Sequence, residues 1–69
     1  MARILLGVRG MDNEGARDRV QATLLAIEGV AAVEAGTDQQ AAVDYDAGEV
    51  TIMDMIRALR RIGFLAGME

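Results

Sequence analysis

Two stretches of helical periodicity, each set between short runs that read as strands, constrain this chain more than any other feature. In the first, Ala16, Val20, Leu24 and Ile27 recur at spacings of 4, 4 and 3, one stripe of an amphipathic helix. Asp12 or Asn13 is placed to cap it, because a side-chain oxygen there takes up a free backbone N–H and suits the helix dipole. Gly29 fits the position just past its end. In the second stretch Ile52, Ile56 and Leu59 form the stripe, widened by Met55 and Ile62. Thr51, with Asp54 three residues on, is a capping-box signal, and Gly63 closes the helix.

The flanking runs alternate instead. Ile4, Leu6 and Val8 are separated by Leu5 and Gly7, which predicts a strand over 4–8 with Leu5 and Gly7 on its second face. Val30–Ala35 and residues 41–45 surround the polar turn Gly36-Thr37-Asp38-Gln39-Gln40 and predict a hairpin. Residues 64–66 make a short final strand, with Met68 expected in a frayed tail. The order is β-α-β-β-α-β, the split pattern of ferredoxin-like folds. Two helices can cover only one face of a four-stranded antiparallel sheet, so an α+β open sandwich is expected, a single domain over 1–69. Each half reads as strand, helix, strand. The core must be small and aliphatic, since Tyr45 and Phe64 are the only aromatic residues.

Composition bounds the chemistry. The chain contains no Cys, His, Lys, Ser, Trp or Pro. The common general bases, nucleophiles and Schiff-base formers are therefore missing, and no enzyme activity or cofactor is expected. Neither a Cys nor a His zinc site can be built. Eleven acids against seven arginines give a net charge of −4, the wrong balance for a nucleic-acid surface. An RNA recognition module has the same element order, but it needs sheet aromatics and a basic face. No apolar run approaches the roughly 20 residues that span a bilayer, and no signal-peptide pattern stands at residues 1–8, so a cytoplasmic location is expected.

Landmarks at consistent spacing carry a resemblance. They are Gly10-Met11, Val20, Leu24, Gly29-Val30, Val33, Val43, Tyr45-Asp46, Val50-Thr51, Ile56, Leu59 and Gly63-Phe64. From Arg3 to Ala66 the sequence resembles the heavy-metal-associated domains of copper chaperones, mercury-binding proteins and metal-transporting P-type ATPases. The resemblance implies a Gly-Met-Thr-Cys-x-x-Cys loop entering the first helix, where two thiolates hold a soft cation. Carried over, the Thr position falls on Asp12, the first Cys on Asn13 and the second on Ala16. The fold is implied and the metal chemistry is not.

Candidate functional residues follow from these readings. Met11 is expected to pack beneath the loop rather than to ligate. Met11, Asp12, Asn13 and Glu14 form the alternative non-thiolate site of a metal carrier, in which oxygen donors would favour a hard cation and any metal would bind weakly. Met53 and Met55, two apart on a helix, point in different directions. Arg57, Arg60 and Arg61 suit the dipole at the end of the second helix or face an acidic partner. Glu34, Asp38, Asp44, Asp46 and Glu49 lie on the hairpin and the loop after it, giving a polarised molecule. On the uncovered sheet face Leu5, Gly7, Ala32 and Ala42, with Leu65 or Ala66, make a small apolar patch for a protein partner or a second copy. The expected function is a degenerate heavy-metal-associated-like module for protein interaction or regulation in metal handling. A small-molecule-sensing module of the same topology, using loop ends and a dimer interface, is a further alternative.

Overall fold

The structure, a computed structural model, describes every residue except Thr37 and Glu69. The turn expected over 36–40 therefore lies partly outside the described residues. Six elements follow in order: β1 (Ala2–Arg9), α1 (Glu14–Leu25), β2 (Val30–Ala35), β3 (Gln40–Tyr45), α2 (Ile52–Arg61) and β4 (Leu65–Met68). The strands form one antiparallel sheet in the order β2-β3-β1-β4. The two strands of each half are thus separated by a strand of the other half, which is the split βαβ arrangement expected from the sequence.

Alternation along β1 decides what the sheet buries. Leu6 and Val8 face the helices and lie in the core, while Leu5 stands on the opposite face. Val43 pairs with Ile4 on one side and Val33 on the other, so one row of aliphatic side chains runs across the middle of the sheet. β2 carries an irregularity between Val30 and Ala32, which lets Ala31 drop out of register and keeps Val33 inward. Val20 and Leu24 of α1, with Met55 and Leu59 of α2, close over this surface. No polar or charged residue is buried among the described ones.

The α2 stripe differs from the expected one in its centre. Met55 and Leu59 are fully buried, whereas Ile52, Ile56 and Ile62 are only partly so. Residues four apart share a helical row, and the isoleucines flank that row at i±3. Several boundaries also move: β1 extends beyond 4–8 to Ala2–Arg9, β3 begins one residue earlier at Gln40, and the last strand is Leu65–Met68 rather than 64–66. α1 ends at Leu25 with Ala26 as its cap, so Ile27 and Gly29 lie in a further turn rather than in and just after the helix. There Val30 N–H donates to Ile27 O at 3.2 Å and Asp46 N–H to Gly29 O at 2.7 Å. Gly29 has φ +99, and a Cβ on it would stand 2.8 Å from Glu49 Cβ, so the close approach of the two loops requires glycine. Met68 is not frayed: it pairs across from Leu6 in β4.

Gly63 does close α2. Phe64 N–H donates to Leu59 O at 3.0 Å and Gly63 N–H to Arg60 O at 3.1 Å, the two bonds of a Schellman motif. That turn aims Phe64 back into the core and starts β4 beside β1.

Candidate functional site

The loop between β1 and α1 is where the resemblance would put a metal. Gly10, at φ +96, turns the chain out of β1 with its Cα against the Phe64 ring; a Cβ there would meet Cδ1 at 3.4 Å. Its N–H donates to the Gln39 side chain at 3.3 Å, which ties the loop to the hairpin. Met11 is fully buried and its thioether sits within the core. Asp12, Asn13 and Glu14 are exposed.

Of the two candidate caps, Asn13 takes the position. Its side-chain oxygen accepts the Ala16 N–H at 2.8 Å, and its amide nitrogen donates to Asp12 Oδ1 at 3.3 Å. Glu14 turns away to Arg17, 3.7 Å distant. The oxygens of residues 12–14 therefore have separate tasks. Among the described residues no three His, Cys, Asp or Glu side chains gather where a cation could be held. Ala16, at the second thiolate position, presents a methyl group partly packed on the core. Asn13 and Ala16 are the N-cap and N3 positions of α1, and neither side chain offers a sulfur.

Elsewhere the candidate residues separate into two regions. Arg57, Arg60 and Arg61 are exposed on α2, with Arg57 near enough to help lower the Asp54 pKa. Met53 is exposed and Met55 is buried, so the two diverge as their spacing requires. Leu5, Ala32, Ala42 and Leu65 all lie on the open face of the sheet. Ala66 does not join them. It pairs with Val8, whose side chain points to the helices, and it packs against the core.

Two interactions have no counterpart in the sequence reading. Arg3 forks onto both oxygens of Asp44, at 3.0 and 3.1 Å, and reaches Glu34 at 3.7 Å. Two of the acids expected to mark a negative pole are thus partly neutralised on the open face. Arg3 lies outside the strand expected over 4–8, and only the strand register sets it on that face opposite Asp44. Arg19 of α1 lies over the Phe64 ring, 5.7 Å from its centroid, a cation–π contact beside the loop.

No family model matches this sequence, and no curated protein matches it. Solved structures do. A copper-binding domain of a P-type ATPase superposes with a TM-score of 0.96 at 27% identity, covering 100% of this chain and 95% of that one. The CopZ metallochaperone superposes at 0.91 with 25% identity, over 96% of this chain and 100% of its own. Oxidized MerP from Ralstonia metallidurans gives 0.94 at 22% identity, over 99% and 96%. The last shows the fold alone. These neighbours are the heavy-metal-associated domains that the sequence resembles.

Proposed function

We propose that this heavy-metal-associated domain works by binding protein rather than metal, as a non-catalytic interaction or regulatory module of a metal-handling system. One observation carries the reading. The two positions that would bear thiolates hold Asn13, whose oxygen is engaged as the α1 cap, and Ala16, which has no donor at all. A soft cation needs polarisable sulfur, and the chain has no cysteine to supply it. Met11, the one sulfur beneath the loop, is enclosed by the core. The likeness to copper-binding and chaperone domains supports a setting in metal handling, because those domains share the backbone frame that presents this loop.

The test is a titration of Cu(I), Zn(II) and Ca²⁺ into isotopically labelled protein, following the amides of residues 10–17. Unshifted amides are expected. Saturable shifts confined to that loop at micromolar metal would overturn the proposal in favour of a non-thiolate carrier.

A further inference from the structure

A depression beside the β2–β3 turn collects features that neither the loop nor the helices use. Its volume is about 550 Å³, within the range of about 300–1,000 Å³ typical of small-molecule sites, and it opens widely to solvent. Gly7 of β1 and Gly67 of β4 are cross-strand partners on its floor, and neither carries a side chain. A Cβ on Gly67 would meet nothing within 4 Å, so the space above it is open. Leu65, 57% exposed, pairs with Arg9 two residues along the strands.

Two opposite charges border this space without meeting. Arg9 and Asp38 both line it, and neither takes part in an ion pair among the described residues. Asp38 Oδ1 accepts the Gln40 N–H at 3.3 Å, and Oδ2 has no partner among the described residues. Gln39, in the same wall, has φ +62, the one left-handed backbone of a non-glycine residue among those described. Such residues persist where surrounding bonds hold them, and they gather at ligand clamps. Two bonds hold this one: its carbonyl accepts the Val8 N–H at 2.7 Å, and its side chain accepts the Gly10 N–H.

We infer that the depression binds a free α-amino acid with an apolar side chain. The ligand's carboxylate meets Arg9, its ammonium meets Asp38, and its side chain lies over the two glycines against Leu65. A lone cation would select an anion and a lone carboxylate a cation, whereas two unpaired charges of opposite sign around one small space select a zwitterion. Both charges stay in contact with water, and exposed charge pairs are weak, so half-saturation falls in the millimolar range. Occupancy has a route to the β1–α1 loop, because Gln39 both lines the depression and holds Gly10. This goes beyond the reading of the domain as a protein-interaction module and does not rest on it.

Titration of L-leucine into isotopically labelled, metal-free protein tests it. Saturable amide shifts are expected at Gly7, Arg9, Gln39, Gln40 and Gly67, with Gly10 following through Gln39. N-acetyl-leucine, which lacks the ammonium, and leucinamide, which lacks the carboxylate, should each bind about fivefold more weakly, the factor of one exposed charge pair. These comparisons leave the protein unaltered. Arg9→Gln and Asp38→Asn should each weaken leucine binding by about the same factor. Gly67→Leu, which fills the floor, should abolish the shifts. No saturable shift at tens of millimolar leucine overturns the inference. So does equally tight binding of either analogue, or leucine binding that Gly67→Leu leaves intact. The metal titration uses a different ligand, so either reading can fail without the other.

Discussion

The two helices of this domain begin in the same geometry and with different chemistry. α2 starts with a complete box: Asp54 N–H donates to Thr51 Oγ1 at 3.2 Å, and Thr51 N–H donates to Asp54 Oδ2 at 3.1 Å. α1 starts with half of one. Asn13 caps the Ala16 N–H, but Ala16 has no side chain to return the bond. Thr51 and Asp54 occupy the N-cap and N3 positions of α2, as Asn13 and Ala16 do of α1. The resemblance puts the two thiolates of a metal site at that same pair. By that resemblance, one backbone turn serves as a cap or holds a soft cation according to the side chains at N-cap and N3. In this chain both turns serve as caps.

The largest effect is expected from supplying the missing donors. Asn13→Cys with Ala16→Cys should turn a loop expected to show no saturable binding into one that takes Cu(I) or Zn(II) at or below micromolar metal, read by the same amide titration. Failure to bind would mean that the backbone frame also departs from that of the copper-binding domains. Next is the floor of the loop. Met11→Ala should cost about 2–5 kcal/mol in urea unfolding, because a fully buried side chain is lost and a cavity left. A cost under about 1 kcal/mol would argue that Met11 is held for something other than packing.

Smaller differences separate the caps. Asn13→Ala and Thr51→Ala should each cost about 1 kcal/mol, with the Thr51 variant the larger, since it also loosens Asp54. Equal costs would erase the distinction between half a box and a whole one. Smallest is a pH effect confined to α2. The Asp54 carboxyl is held below its ordinary 3.8 by the Thr51 backbone N–H, then by the Thr51 hydroxyl and by Arg57. A lowered folded pKa contributes stability above the unfolded value that is lost as pH falls through the folded one. The urea midpoint should therefore drop below about pH 4 by an increment that Asp54→Asn removes. Asn13 does not titrate, so Asn13→Ala should leave that increment in place.

Much of this was legible in local pattern. The capping box at Thr51, the closing Gly63 and the inward row of Leu6 and Val8 all follow from spacing, because each depends on residues within one turn or on one strand's alternation. What was misplaced depended on distant partners. Gly29 looked like a helix terminus, but it is glycine because Glu49 passes 2.8 Å from where a Cβ would be. Met68 looked free, but β1 pairs with it. Ala66 was a candidate for the open face until Val8 fixed its side.

The sequence by itself determined the element order, the start of α2, the start of α1 to within one residue and the absence of any thiol, since these are properties of neighbouring residues and composition. Only the tertiary structure decided the strand order β2-β3-β1-β4 and the register that sets Arg3 against Asp44 and Glu34. Pairing between strands joins residues 41 positions apart, as in Arg3 with Asp44, and no local propensity reaches that far.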